Sequence, residues 1–200
     1  MTHHVRMKTS RHPARFSSSL ALATPLATLT LGSADAYPLT GYLKIPDIDG
    51  ESNRDKDHVG WIDIESFSMG ISRPIQFGPT GPAPTGEAQQ QALEISKPLD
   101  KSSPQLFLKC ATGQYLPTVT LHLTKDAAPG TPTYYVVILS NVIISSLGTS
   151  DATTSGSAQP TEQVSFNYTK IDIQYTEVDT ATGATGDTTA ASYDFSTPTK

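Results

Sequence analysis

The sequence is poor in cysteine, in basic residues and in long apolar runs. Cys110 is its only cysteine, which excludes a disulfide within one chain and a zinc site built on several cysteines. We expect this thiol to be a small core residue on a helix. No run of 18 apolar residues occurs, so we expect no membrane span. The 14 Lys and Arg against 19 Asp and Glu give a net charge of −5, which argues against a nucleic-acid partner.

Motifs of catalysis and cofactor binding are also missing. The sequence contains no nucleophile elbow, no H-E-x-x-H helix, no P-loop and no G-x-G-x-x-G turn, so we expect no enzyme, no catalytic residue, no metal and no cofactor. His58 lies in an acidic turn and His122 on the polar side of a strand, and we expect both to be solvated. The carboxylates from Asp47 to Asp57 fail the spacing of an EF-hand, which favours a solvated turn over a calcium site.

Residues 1–36 differ in composition from the rest of the chain. Four basic residues come first, an apolar run ends at Leu31, and an A-x-A sequence follows. These are the basic region, the apolar region and the cleavage site of a secretory signal peptide. The residues of the cleavage site are Ala34, Ala36 and Tyr37, with Tyr37 as the new N-terminus. The pattern predicts an exported protein.

The same residues allow a second interpretation as a disordered N-terminal extension. Pro25 and several serines and threonines weaken the apolar region, and a start site placed too early would also give such a segment. Met7 is another candidate for the true start, because it opens a more typical leader. On both interpretations residues 37–200 are one domain, which agrees with a chain of 200 residues that is 36% hydrophobic.

Alternating apolar and polar residues predict short strands. Tyr42 opens a strand that Pro46 ends, because proline lacks the N–H that a continuing strand would donate. A second strand begins at Trp61, and its buried side changes near Ser66, which predicts a β-bulge where the strand bends from one sheet to another. Further strands are predicted at Ala92–Lys97, Thr118–Thr124, Thr133–Leu147 and 162–179, and the last of them repeats the change of side.

Segments rich in glycine, proline and small polar residues separate these strands. We expect exposed loops at Gln76–Gly86, Gly148–Pro160 and Thr180–Ala190, and a short edge strand at Tyr193–Phe195. The strand Thr133–Leu147 is almost continuously apolar, which is typical of a strand buried on both faces or one whose second face meets another subunit.

One helix is predicted, at about residues 103–112. Ser102 and Gln105 have the spacing of a capping box, Pro104 suits the first turn, and Gly113 can take the left-handed conformation after the last turn. Its buried stripe is expected to consist of Leu106, Phe107 and Cys110. Together the elements predict a mainly β fold, a single-domain β-barrel or two-sheet sandwich with this helix over one open end.

Several stretches resemble the haemolysin-coregulated proteins (Hcp), which form the inner tube of bacterial type VI secretion systems. YLKI is followed by a G-E-S turn and a WI-x-I-x-S-F-S-x-G strand, then by a D-K-x-S-P-x-L helix, and E-x-V-S-F-N-Y-x-K-I-x-I-x-Y forms a closing strand. The positions that carry the resemblance are Tyr42, Gly50, Glu51, Ser52, Trp61, Ser66, Ser68, Gly70, Asp100, Ser103, Pro104, Gly113, Phe166 and Tyr175.

The resemblance implies a structural protein that acts by assembly rather than by turnover. Members form homohexameric rings that stack head to tail into a tube, which a contractile sheath drives outwards behind a spike protein. Small effector proteins travel in the lumen. Gln76–Gly86 and Gly148–Pro160 are then candidates for the contacts between stacked rings. The family supplies no catalytic residue to carry over.

One difference from the family keeps a second function open. Tube proteins usually begin near the YLKI motif and leave through the apparatus itself, whereas residues 1–36 precede the motif here. A chain exported by the general pathway would not assemble inside a cytoplasmic sheath. The alternative is therefore a related secreted or periplasmic protein that does not serve as the tube. A secreted β-fold hydrolase is a minor alternative.

Overall fold

The segments in which apolar and polar residues alternate form the strands of a sheet that closes on itself. The computed structural model describes residues 40–127, 130–151 and 159–197, which form thirteen strands and one helix. The helix α1 is Ser103–Thr112. The strands are β1 (Thr40–Lys44), β2 (Ile62–Ile64), β3 (Ser66–Ser68), β4 (Ile71–Ser72), β5 (Ile75–Gly78), β6 (Gly81–Pro84), β7 (Gln89–Gln90), β8 (Leu93–Pro98), β9 (Leu116–Thr124), β10 (Thr133–Ser150), β11 (Thr161–Asn167), β12 (Lys170–Val178) and β13 (Thr185–Asp194).

The main sheet runs in the order β2-β1-β9-β10-β11-β8-β3, and its two ends belong to one bent segment. Only Glu65 separates β2 from β3, and its N–H donates to the carbonyl of Ser96 at 2.8 Å. Ile62 and Ile64 are buried before the bend, while Phe67 packs against the core after it. The predicted bend near Ser66 is confirmed, and because it joins both ends of the sheet the strands form a barrel.

A second bend lies in β10, which pairs with β9 and β12 along its first half and with β11 along its second. Val137 and Leu139 are buried before the bend, and Val142 and Ile144 after it, so the buried side changes by one residue. Asn141 provides the extra residue at a φ of 52°, a left-handed conformation that asparagine tolerates. The sequence analysis missed this bend, because an almost wholly apolar strand hides a change of side.

The core fills the barrel with aliphatic side chains in register. Leu43 pairs with Leu121, and Leu121 with Val137, and all three are fully buried. Each such side chain contributes about 1.5–3 kcal/mol on burial. Leu106 of α1 is also fully buried in this cluster, so the helix closes the barrel as the sequence predicts.

The helix differs from its prediction at one end and on one face. Gly113 does end it in the left-handed conformation, at a φ of 63°. Ser102 makes no side-chain cap, because its hydroxyl donates to Asp100 instead, so the predicted capping box with Gln105 is wrong. The prediction that Phe107 belongs to the buried stripe is wrong, because only one side of the helix faces the barrel and Phe107 is 63% exposed.

The predicted loop Gln76–Gly86 is wrong, because most of it is a hairpin of β5 and β6. Phe77 pairs with Pro82, and Ile75 with Pro84. The N–H of Thr85 donates to the carbonyl of Pro74, so the hydrogen-bonded positions alternate with the prolines. Prolines at these positions leave no ladder bond unmade, which is why their presence did not prevent a strand.

Three other boundaries also differ. The predicted loop Thr180–Ala190 is half strand, since β13 starts at Thr185 and pairs with β12 over its whole length. Residues 162–179 are predicted as one strand but form two, because the chain is interrupted at Tyr168, between the end of β11 and the start of β12. The loop predicted from Gly148 starts later, because β10 reaches Ser150, and most of the remaining segment lies outside the described residues.

Candidate functional site

A buried ionic network fixes α1 to the barrel. We call Lys97, Asp100, Ser103 and Glu162 the lysine network. The Lys97 ammonium is fully buried and donates to Glu162 at 3.0 Å and to Ser103 at 3.1 Å, and it lies 2.8 Å from the Asp100 carboxylate. Ser103 donates to the same Glu162 oxygen at 2.6 Å. Two of the family-motif positions, Asp100 and Ser103, therefore hold the helix in place.

The G-E-S turn connects the start of the barrel to the same helix. A Cβ on Gly50 would lie 2.2 Å from the Trp61 carbonyl oxygen, so only glycine fits there. Ser52 exchanges backbone hydrogen bonds with Gly60 and Trp61. The Glu51 carboxylate accepts from the N–H of Lys101 at 3.0 Å, directly before α1. The separated family motifs thus meet in space.

The remaining motif positions divide between core and surface. Tyr42 and Phe166 are buried, whereas Tyr175 is 43% exposed and meets the Tyr134 ring edge-on at 6.1 Å. Ser66 and Ser68 are exposed and line a polar groove of about 440 Å³ on the face of β3, β8, β10 and β11. Pro104 lies in the first turn of α1, and a Cβ on Gly70 would contact the side chain of Gln91.

The two histidines expected to be solvated are instead part of a buried network, so that prediction is wrong. We call Asp55, His58 and His122 the histidine network. His58 is 2% exposed, its Nδ1 lies 2.8 Å from Asp55 Oδ2, and its Nε2 lies 2.9 Å from His122 Nδ1. Burial, followed by the neighbouring His58, lowers the pKa of His122 to about 4, with the nearby Asp55 carboxylate opposing both effects. The contact joins residues 64 positions apart, which no local pattern reveals.

Aromatic rings enclose the histidine network. The His58 ring stacks on Tyr42 at 4.1 Å, and Trp61 meets the rings of His58 and His122 at 4.8 and 4.6 Å. Burial, with the nearby Asp55 carboxylate next in size, raises the pKa of Tyr42 to about 12. The other carboxylates of this acidic turn stay apart: Asp49 is exposed and pairs with Lys44 at 3.6 Å. Among the described residues no three metal-ligating side chains gather at one point.

Two apolar surfaces remain uncovered. Ile75 and Phe77 lie on one face of the β5–β6 hairpin and are 57% and 75% exposed. The second surface is an apolar groove of about 330 Å³ between the segment before the hairpin and strands β12 and β13. It is lined by Met69, Ile71, Tyr168, Ile171, Ile173, Tyr193 and Phe195. Exposed apolar surfaces of this kind mark protein interaction sites.

The geometry defines a class: a β-barrel closed by one helix, with apolar surfaces that suit contacts with other proteins. The chain belongs to the Hcp family of type VI secretion, because the family model described as "Type VI secretion system effector, Hcp" matches residues 42–175. Members of this family are secreted structural components of type VI secretion systems. The match supports the tube-protein role that the sequence motifs imply. No helix among the described residues is long and apolar enough to cross a membrane.

Individual relatives agree with this assignment. Protein hcp1 of Pseudomonas aeruginosa is 31% identical over 134 residues, which are 67% of this chain and 81% of that protein. A solved structure of a type six secretion system protein is 26% identical with a TM-score of 0.71, and the match covers 78% of this chain and 95% of that one. Hcp1 from Salmonella typhimurium is 25% identical with a TM-score of 0.63, over 80% and 96% of the two chains.

Proposed function

We propose that this chain is the protomer of a homohexameric ring, and that the rings stack head to tail into the tube of a type VI apparatus. The sheath and spike of that apparatus are its partners, and small effector proteins are its cargo. The observation that carries the proposal is the family match over residues 42–175, which contains α1 and the strands of the closed barrel, with β1 included from Tyr42 onwards. The mechanism is assembly and transport, with no catalytic step, cofactor or nucleic acid.

The uncovered apolar surfaces support assembly. A ring needs heterologous contacts, in which one surface of a subunit meets a different surface of the next, and stacking needs a further axial contact. The β5–β6 hairpin is a two-stranded sheet separate from the main sheet, and it carries Ile75 and Phe77 in exposed positions. We assign this hairpin, which overlaps the candidate contact Gln76–Gly86, to the axial contact. The second candidate, Gly148–Pro160, lies largely outside the described residues.

The first test is the solution mass of the protein beginning at Tyr37, measured by light scattering, with electron micrographs of the same sample. Six-fold rings are the expected result. A monomer at every concentration would overturn the tube proposal and favour a secreted relative that does not assemble.

The hairpin assignment has a matched pair of variants. Phe77 and Phe107 are both exposed, at 75% and 63%, but lie on the hairpin and on α1. Phe77→Ser should leave six-fold rings and shorten the stacks, while Phe107→Ser should leave both unchanged. Equal shortening by the two variants would contradict a specific role of the hairpin.

The N-terminal residues bear on where the chain acts. Residues 1–39 lie outside the described residues, so the cleavage site at Ala34, Ala36 and Tyr37 remains a prediction. We propose an extracellular destination, reached through the apparatus from the cytoplasm or, if residues 1–36 are cleaved, through the periplasm. Mass spectrometry of the exported protein tests this. A first residue at Tyr37 supports cleavage, and an intact leader excludes it.

A further inference from the structure

The histidine network attaches an acidic loop to one face of the barrel. The loop, residues 46–61, leaves β1 and returns to β2, and we call it the covering loop. Below it, Asp63, Tyr42 and His122 form a row across β2, β1 and β9, because Tyr42 pairs with both of the others. The same row continues through Val136 to Gln174 of β12, which is exposed. His58 reaches down from the loop and stacks on Tyr42.

Hydrogen positions in this network follow from the chemistry of its members. Burial raises the pKa of Asp55, but its hydrogen bonds with His58 and with the backbone N–H groups of Asp57 and His58 together lower it. An ionised carboxylate only accepts, so His58 Nδ1 carries a hydrogen and donates to Asp55. The remaining His58 nitrogen, Nε2, faces His122 Nδ1 at 2.9 Å, a gap that holds one hydrogen.

The number of protons that this arrangement accepts is therefore limited. With both rings neutral, His122 Nδ1 donates to His58 Nε2. With one ring charged, a single hydrogen still lies between the two nitrogens, and the charged ring donates it to the neutral one. When both rings are charged, two N–H groups face each other and the hydrogen bond is replaced by repulsion.

We propose that the histidine network is an acid-sensitive attachment: a second proton on the imidazole pair releases the covering loop from the face of β1 and β9. Tyr42, now 1% exposed, would then be uncovered together with His122. The exposed face of the sheet would extend from β13 through β10 to β1. Acid thus enlarges the surface that this side of the barrel offers to a partner.

Electrostatics of the site support this direction. Because the closed network holds the pKa of His122 near 4, below the 6.5 of a free histidine, the released state binds the additional proton more readily. The network is fully stable above about pH 6.5, and its stability falls as the pH decreases towards 4.

The other charged groups around the rings lie on the loop and on β2. Arg54 pairs with Asp63 at 3.5 Å, and its side chain is 59% exposed, so solvent screens this pair. Tyr42, with its raised pKa of about 12, stays neutral throughout this range. From β10 the residue in register with His122 is Val136, which carries no charge.

Trp61 is the only tryptophan of the chain and contacts both imidazole rings, so its fluorescence reports directly on the network. We would titrate the full chain from pH 7.5 to 3.5 and record Trp61 emission and far-UV circular dichroism together. The expected result is a fluorescence step between about pH 6.5 and 4 with the strand signal unchanged. Hydrogen exchange, corrected for intrinsic rates, should show lost protection in residues 46–61 while β9 and β10 stay protected.

Two variants separate the network from general acid effects. His122→Gln keeps polar atoms against His58 without a titrating ring and should remove the step. Asp57→Asn changes an exposed carboxylate two residues from Asp55 and should leave the step in place. If His122→Gln does not fold, the hydrogen-exchange experiment on the unaltered protein still decides. A flat titration, a step that persists in His122→Gln, or exchange that rises equally in β9 and the loop would overturn the proposal.

Discussion

Two buried polar networks attach two different segments to the same barrel, and they differ in what can undo them. The lysine network fixes α1 with an ammonium and two carboxylates, none of whose donors or acceptors depends on an imidazole. The histidine network fixes the covering loop through two rings whose ordinary pKa lies near physiological pH. The attachment of the helix that completes the core contains no imidazole, while the attachment of the loop that covers an outer face depends on two.

The largest expected effect comes from breaking the lysine network. Glu162→Ala leaves the fully buried Lys97 without its main partner and should lower the free energy of unfolding by about 3–5 kcal/mol. Urea unfolding monitored by circular dichroism measures the difference. Glu94→Ala, an exposed position on the neighbouring strand β8, is the control and should change stability by less than about 0.5 kcal/mol. Similar losses in both variants would show that the network does not stabilise the helix.

The second effect displaces the covering loop through its backbone. Gly50→Ala places a methyl group 2.2 Å from the Trp61 carbonyl oxygen and should cost about 3 kcal/mol, because backbone cannot yield as a flexible side chain does. Gly148→Ala is the matched control, since nothing lies within 4 Å of its Cβ. Equal unfolding midpoints for the two alanine variants would mean that the turn relaxes without cost.

A third, smaller effect is the pH dependence of stability itself. The pKa of His122 is about 4 when folded and 6.5 when unfolded, so the unfolded chain binds the extra proton and stability falls from pH 6.5 to 4. After allowance for partial exposure we expect a loss of about 2 kcal/mol. Urea unfolding at stepped pH should give this slope in the unaltered chain and a flatter one in His122→Gln. A slope that steepens in the variant would refute the assignment.

The smallest effect tests the acceptor of the histidine network. Asp55→Asn keeps an oxygen for the backbone but loses the charge that faces His58, and should cost about 1 kcal/mol at pH 7. Asp57→Asn, the same change at an exposed neighbouring position, should be almost neutral. Indistinguishable stabilities would assign the attachment of the loop to the aromatic contacts alone.

The barrel could be predicted largely because its signals are local. Alternation placed β1, β8 and β9, and the change of buried side at Ser66 indicated the bend that closes the sheet. The first part of β13 escaped prediction, because Thr185–Ala190 is exposed on both sides and has no apolar face, and only an edge strand at Tyr193–Phe195 was predicted. The β5–β6 hairpin escaped it because prolines normally argue against a strand, and only pairing shows that they avoid the hydrogen-bonded positions.

Little of the two networks could be predicted. Lys97 alternates with Leu93 and Ile95 and shares their buried side, which was the one local indication of its burial. Nothing comparable indicated His58, since its partner His122 lies on another element and the acidic residues around it favour solvent. The family resemblance located Asp100 and Ser103 without stating that they surround a buried lysine.

The bent strand β10 also bears on how the chain is made. It pairs with β9 before it and with β11 after it, and β11 pairs in turn with β8, which precedes α1, so the barrel cannot close until β11, Thr161–Asn167, has left the ribosome. Pairings of such long sequence separation are slow, on the order of milliseconds to seconds. A nascent chain of this design stays unfolded throughout most of its synthesis, which is the state that a translocation pore or a chaperone accepts.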